Sequence, residues 1–496
     1  MASGILIGID LGTTVLKVCA FDARTGVLRA SAGRRLPVRL TPDGGREQSL
    51  RTVERVFAAL MQAVRDELGR DWTQVRGMAL AAQGGSTIIA DRISGRSLTP
   101  MYLWNDSRAQ AYVERLADSV PRRVWRRFVL RAAPPHGLAR IQWLLEARPE
   151  LLDERTIHVG AGEYLFFALT GIWRQDPGNA IQVGSYQAAE KRLDPALFNR
   201  IGVPLSFVAP LRQGHELASL SAPAAKRLGL VEGIPVAGPY IDQEAGYLST
   251  VAGGGTPLHG SLGTAWVGNF ALPAGVRGWS PTQLVLPNPA GDGTLIVQPL
   301  MAGNPAWDWA LGRFIGRNAR KSLAEAEALF AQCLLPPRGL VAVPWLTQPN
   351  PRDTSAYGAG AFFGVSVQTT GADLVRAVAA GLAFEFRRVF ARVAEAGVID
   401  RVVIGGGASK GVHFRSLFAA LFAPLPVYRQ VDDEWAAARG ALFTLSPRAA
   451  RGGVERMAAP RKAVREEALR VYTDYLEVFD RLYGDVAWGK AFEVDM

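Results

Sequence analysis

An α/β protein of two domains is what this sequence predicts, and three observations carry the prediction. The chain is 496 residues long, short apolar strand-like runs alternate with amphipathic stretches of helix length, and a Gly-Thr turn recurs halfway along. A single hydrophobic core seldom grows past roughly 250–300 residues, so a chain of this length divides most naturally in two. With 48% hydrophobic and 20% charged residues, each half has the material for its own core. The junction falls near residues 245–255, which gives domains of 1–248 and 249–496.

The elements follow in order. Gly4 to Ile9 is a short apolar strand, Asp10-Leu11-Gly12-Thr13-Thr14 a turn, and Val15 to Phe21 a second strand. Gly26 supplies the next turn and a third strand follows it. From about Leu50 to Leu68 the apolar positions Val53, Val56, Phe57, Leu60 and Val64 recur at helical spacing. Strands at Gly77–Ala82 and Ser86–Ala90 then alternate with helices after Asp106, around Leu138–Glu146 and around Glu163–Leu169, an α/β pattern. Pro and Gly punctuate Ile201 to Gly238, before Tyr240-Ile241-Asp242-Gln243-Glu244-Ala245. The second half restarts in the same manner: Gly260-Ser261-Leu262-Gly263-Thr264-Ala265 repeats the layout of Gly8 to Thr13 and runs into a strand, Trp266 to Phe270. A helix at Leu374–Glu395, a strand at Arg401–Ile404, the triplet Gly405-Gly406-Gly407, a helix through Leu421, a strand near Val427 and a helix from about Glu434 complete the chain.

The formal charge of +11 raises the question of a nucleic-acid partner. Its distribution answers against one: seven lysines are scattered, arginine carries the rest, and no basic-aromatic stripe appears. Cys19 and Cys333 are too few for a disulfide framework or a thiolate zinc site, which favours a reducing compartment. No run approaches the roughly 20 apolar residues of a membrane span, and Asp10 falls where a signal peptide needs its apolar core. A cytoplasmic protein is expected.

Phosphate chemistry on a hairpin needs small residues for close approach of backbone N–H groups, hydroxyls to donate, and a carboxylate to organise magnesium. Gly8 to Thr14 supplies all three, with Asp10, Gly12, Thr13 and Thr14, and Lys17 in the next strand adds a cation. Ser261, Gly263 and Thr264 repeat the hydroxyls and glycine without the carboxylate. Gly406, Gly407 and Ala408 follow an apolar strand and offer close backbone approach to a flat or anionic group.

In this order the three segments resemble the two phosphate motifs and the adenosine motif of the FGGY carbohydrate kinases, xylulose kinase-like members of the actin-like ATPase superfamily. Leu103 to Arg108, Arg148-Pro149-Glu150, Leu169-Thr170-Gly171, Val343 to Leu346 and Gly364 match as well. The resemblance implies two actin-like (ribonuclease H-like) domains with a catalytic cleft between them, and ATP-dependent phosphorylation of a sugar or polyol hydroxyl, most often of a ketopentose such as xylulose. It puts Asp242 at the general base and Asp10 at a magnesium ion that arrives with ATP and is held through water. It also puts Gln83, Gly84, Gly85, Trp104, Asp106 and Gln243 on the substrate side, and it implies a homodimer.

Several alternatives stand beside these assignments. Asp242 is also a candidate cap for the helix after it, and Arg108 a loop pin rather than a sugar contact. Arg439, in Arg439-Gly440-Ala441 where the family often has Gly-Ala-Ala, has three readings: stacking on adenine, touching a phosphate, or facing solvent. Tyr240, Glu244, Pro135 and His136 are further candidates to line the substrate space. Gly84 and Gly85 depart from glycerol and xylulose kinase patterns, and a glycine pair there suggests room for a larger or differently branched acceptor. Other ketoses and polyols, a non-sugar actin-like ATPase and a catalytically weak sugar-sensing relative are the remaining functions.

Overall fold

The computed structural model describes residues 4–121, 124–125, 134–187, 190–263, 265–276, 283–300, 302–316, 319–346 and 360–483. They form two compact units. The first contains residues 1–254 together with 284–295 and 435–452; the second contains 255–283, 296–434 and 453–496.

In the first unit, strands β1 (Ile5–Leu11), β2 (Val15–Asp22) and β3 (Leu28–Arg35) form an antiparallel meander, and β4 (Val75–Ala82), β5 (Ala218–Ser219) and β6 (Pro235–Ile241) complete a six-stranded sheet in the order β5-β6-β4-β1-β2-β3. β4 is parallel to both β1 and β6. The alternation of side chains along β1 explains its sequence. Ile5, Ile7, Ile9 and Leu11 join one buried core with Leu16, Val18, Met78 and Leu80. Leu6, Gly8 and Asp10 face the other way.

Helix α1 (Leu50–Leu68) covers the first face, burying Val53, Val56, Phe57, Leu60, Met61 and Val64, and Ser49 caps it by accepting from the Thr52 amide. Each such side chain contributes about 1.5–3 kcal/mol on burial. On the second face, a Cβ on Gly8 would lie 2.2 Å from the carbonyl oxygen of Ala438, so only glycine allows the backbone of the short helix Ala436–Gly440 to approach the sheet. Ala438, Ala441, Leu442, Ala449 and Ala450 share this smaller core with Leu6, Phe21, Ala79 and Tyr240.

Further helices here include α2 (His136–Ala147), α3 (Ala161–Thr170), α4 (Pro177–Gln182) and α5 (Ala222–Leu228). The last lies inside the stretch that Pro and Gly punctuate. Pro223 sits in its first turn, where no intrahelical N–H is needed, Ser221 caps it, and Gly229 ends it at φ +64°. The helix expected from about Glu434 is instead a 3₁₀ turn, the five-residue helix Ala436–Gly440 and a second 3₁₀ turn, because the segment is pressed against other backbone. A Cβ on Gly440 would lie 1.7 Å from the carbonyl oxygen of Ala245, in α6 (Asp242–Val251).

The second unit repeats the plan. β7 (Pro257–Leu262), β8 (Trp266–Leu272), β9 (Thr294–Pro299), β10 (Arg401–Gly405), β11 (Val427–Gln430) and β12 (Val454–Arg456) follow the order β9-β8-β7-β10-β11-β12. β7 pairs antiparallel with β8 and parallel with β10, as β1 does with β2 and β4. The helix expected from Leu374 begins at Gly371, where Thr370 and Asp373 form a reciprocal capping box, and runs to Glu395. Its Phe386 and Phe390 pack with Trp266, Phe270, Phe418 and Phe422. No helix among the described residues is long and apolar enough to cross a membrane.

Candidate active site

Three parallel strands of the first unit, β1, β4 and β6, end side by side: Leu11 pairs with Ala82, and Ala82 with Ile241. Their carboxyl ends therefore place Asp10, Gln83 and Asp242 along one edge, where α/β sheets commonly bind ligands. Asp10 is cross-strand partner to Lys17, whose ammonium donates to Asp10 Oδ2 at 3.2 Å. The other oxygen, Oδ1, is buried and has no hydrogen-bond partner.

Asp242 is the first residue of α6, and its Oδ1 accepts from the Gln243 amide at 2.8 Å. The cap position belongs to Ile241, so Asp242 holds one adjacent N–H and does not close the helix end. The residue is half-buried. Desolvation first, and the negative charge of Asp10 second, raise its pKa to about 7, while Lys17 and the Gln243 amide pull weakly the other way.

A polar chain joins the turn after β1 to the loop after β4. The Thr13 hydroxyl donates to Gln83 Oε1 at 2.9 Å and accepts from Trp104 Nε1 at 3.2 Å, and Gln48 donates to the Thr13 carbonyl at 2.8 Å. Gln83 is buried, Trp104 is 52% exposed, and Thr14 is exposed. Arg140, on α2 and fully buried, pins this loop from below by donating to the carbonyls of Gly85 at 2.8 Å and Trp104 at 3.1 Å. Burial lowers its pKa to about 10, which leaves it charged at neutral pH.

The glycine pair does not leave the room its sequence suggests. A Cβ on Gly84 would fall 2.3 Å from Gln182 Nε2, and one on Gly85, at φ +72°, 2.5 Å from Gln182 Oε1. The carboxamide of Gln182 lies where side chains at 84 and 85 would be. Asn179, also on α4, accepts from the Gly85 amide at 3.0 Å and fixes the two segments together.

Asp106, expected on the substrate side, has both oxygens engaged. They accept from Arg108 at 3.1 and 2.6 Å and from the amides of Arg46 and Arg108, while Arg108 also reaches Glu47 at 2.8 Å and packs over Tyr102 and Trp143. Burial raises the Asp106 pKa, but Arg108 and the amides outweigh it and the net direction is down. This is the geometry of a loop pin.

Arg439 fits none of its three expectations. It is buried in the first unit, donates to the Gly26 carbonyl at 2.6 Å and lies over the Phe21 ring at 4.4 Å. Tyr240 is also internal, its hydroxyl bonded to Thr444 at 2.7 Å and to His215 at 2.9 Å. Glu244 is buried on Arg212, which holds Asp176 at 2.8 Å and Glu244 at 3.3 Å. Pro135 is buried and His136 exposed at the start of α2.

In the second unit the turn after β7 and the loop after β10 lie together. Gly406 has φ +95°, a Cβ there would meet the Leu262 backbone at 2.5 Å, and its amide donates to the Asp433 carboxylate. Ser409 donates to the Gly406 carbonyl at 2.8 Å. Gly263 accepts at its carbonyl from the Asn304 amide at 3.2 Å, and Asn304 Nδ2 would lie 3.1 Å from a Cβ on Gly407. Ser261 pairs with Gly405 across β7 and β10, and Asn304 joins Gly263 to the neighbourhood of Gly407; Thr264 is outside the described residues.

Two carboxylates, one with a free buried oxygen and one with a raised pKa, beside a lysine suit a proton acceptor and a hydrated divalent cation. Among the described residues no group of three or more His, Cys, Asp or Glu forms a metal cage, and magnesium is commonly held by one or two carboxylates through water.

Comparison with known proteins agrees with this geometry. The erythritol kinase of Brucella abortus is 26% identical over 457 residues, 85% of this chain and 84% of that one. The crystal structure of xylulose kinase from Rhodospirillum rubrum superposes with a TM-score of 0.84 at 21% identity, covering 97% of this chain and 99% of that one, and gluconate kinase from Lactobacillus acidophilus with 0.82 at 18%, covering 98% and 99%. The N-terminal domain of the FGGY family of carbohydrate kinases matches residues 5–249 and its C-terminal domain residues 254–445. This chain belongs to the FGGY family of carbohydrate kinases.

Proposed function

We propose that this kinase transfers the γ-phosphate of ATP to a hydroxyl of an uncharged ketose or polyol, a ketopentose such as xylulose foremost, with Asp242 as general base. The observation that carries this is Asp242 itself: a carboxylate at a strand end, beside Asp10, whose pKa of about 7 suits it to take a proton at neutral pH. The alcohol oxygen forms a bond to Pγ, the bond from Pγ to the bridging oxygen breaks, ADP leaves, and the hydroxyl proton passes to Asp242. Asp10 would hold a magnesium ion through water, and the ion would supply charge neutralisation on the phosphate. Gly12, Thr14 and Lys17 contact phosphate, as do Ser261, Gly263 and Thr264, and Gly406, Gly407 and Ala408 receive the adenosine. Gln83, Gln243 and Trp104 face the acceptor; the two amides donate and accept, as neutral hydroxyls require.

The relatives named xylulose kinase and erythritol kinase support an acceptor of this kind. The test pairs an acceptor panel of ketopentoses, ketohexoses, tetritols and pentitols with Asp242→Asn, following ADP release. One acceptor should stimulate the wild type strongly, and the variant should lose about 10²–10⁴-fold in kcat while binding ATP normally. Near-normal turnover in Asp242→Asn, or ADP release that no acceptor speeds, refutes the assignment.

A further inference from the structure

Resting on the kinase function just proposed, we infer that Gln182 is an acceptor-contacting residue that sets the length of the sugar the site admits. The loop after β4 carries no side chain at 84 or 85, so whatever closes that side of the acceptor space must come from elsewhere. The Gln182 carboxamide supplies it: its Nε2 and Oε1 lie within 2.3 and 2.5 Å of where Cβ atoms on Gly84 and Gly85 would stand. A larger residue at either glycine and Gln182 exclude each other.

The amide is held for recognition. Nε2 donates to the Gly178 carbonyl at 3.3 Å, one turn back in α4, which orients the group and leaves its second N–H and its Oε1 lone pairs for a ligand. The helix is itself fixed, since Asp176 caps it through the Gly178 amide at 2.6 Å and Asn179 holds the Gly85 amide. Gln182 is half-buried, as a group that meets a ligand must be. Ile241, next to Asp242, lies 3.1 Å from the Gly84 Cβ position, and the Trp104 Cβ lies 3.4 Å from that of Gly85. The carboxamide therefore stands among the residues assigned to the acceptor and is neutral. It fits an uncharged hydroxyl other than the one that Asp242 deprotonates, and it bounds the acceptor on that side.

The test measures kcat/KM of the wild type, Gln182→Ala and Gln182→Leu for tetritols, ketopentoses and ketohexoses, with thermal unfolding to confirm that each variant is folded. Gln182→Ala removes the wall, and the ratio of kcat/KM for six-carbon over shorter acceptors should rise at least fivefold, a threshold set below the roughly 10–200-fold that a single methylene commands in a pocket. Gln182→Leu keeps the volume without the hydrogen bonds: the length preference should stay while KM for the best acceptor rises about 3–10-fold at little cost in kcat. A ratio that moves less than fivefold in Gln182→Ala, or an unchanged KM in Gln182→Leu, overturns the inference. If the wild type phosphorylates no acceptor, the kinase function itself falls, and this inference with it. That result is distinct from a turning-over wild type whose variants keep its acceptor ranking.

Discussion

Glu163 offers a test of the electrostatics behind the candidate site. It lies in the first turn of α3, 2% exposed, and accepts from the Asp176 amide at 3.4 Å. Burial, and then the Asp176 charge, raise its pKa from 4.5 to about 7. Below pH 4.5 the folded and unfolded chains both hold this proton. Between 4.5 and 7 the unfolded chain releases it and the folded chain does not, so stability falls as pH rises through this window and is then level. At about 1.4 kcal/mol per pH unit, the loss is on the order of 3 kcal/mol. Gln is isosteric with the protonated carboxyl and has nothing to release. Glu163→Gln should lie within about 1 kcal/mol of the wild type at pH 5 and exceed it by on the order of 3 kcal/mol at pH 8. Urea unfolding of both proteins at each pH measures the difference, in which every other titrating group cancels. A difference that does not change with pH, or a wild type more stable at pH 8, would refute the reasoning.

Two further outcomes follow from the buried charges. Asp106→Asn leaves Arg108 with a broken pair and should cost about 3–5 kcal/mol at pH 7. Because the Asp106 pKa is held down in the fold, the wild-type advantage should persist below pH 3.8 and vanish only as pH falls through the depressed value, which denaturant titration in acid would follow. Arg439→Met should lower stability by about 1–3 kcal/mol, through its lost bond to Gly26 and its place over Phe21, with KM for ATP unchanged; a tenfold rise in that KM at constant stability would put the guanidinium on the nucleotide instead.

Legibility in the sequence followed the range of the interaction. The hairpin of β1 and β2 and the helix α1 were plain, because period-two and period-3.6 apolar patterns are local and Ile5 to Leu11 and Val53 to Val64 obey them. Asp10 and Lys17 stood out as candidates because a hairpin turn carries its own chemistry, whereas Asp242 stood out only through its place in the family resemblance. What stayed hidden depends on contacts between distant segments. Nothing near Gly84 announces that Gln182, about a hundred residues on, fills the space beside it. Arg140 reads as one more helix charge until its carbonyl partners are known. Arg439 was misread for the same reason: its partners, Gly26 and Phe21, lie more than 400 residues upstream. Helix α5 was obscured by Pro223, a breaker in a helix interior and a favoured residue in a first turn.

The return of residues 435–452 to the first unit bears on the order in which a ribosome makes this protein. Ala438, Ala441, Leu442, Ala449 and Ala450 complete the smaller core beneath β1, β2 and β4. The strands that carry Asp10 and lead into Asp242 are synthesised early and must wait, with that face uncovered, until some two hundred further residues have emerged. A nascent chain arrested between Tyr240 and Ala438 exposes Leu6, Phe21 and Tyr240 together, a hydrophobic surface open to chaperones. For the same reason, a fragment ending at residue 254 is not a separable module; it lacks both 284–295 and 435–452, the two later segments that complete this unit.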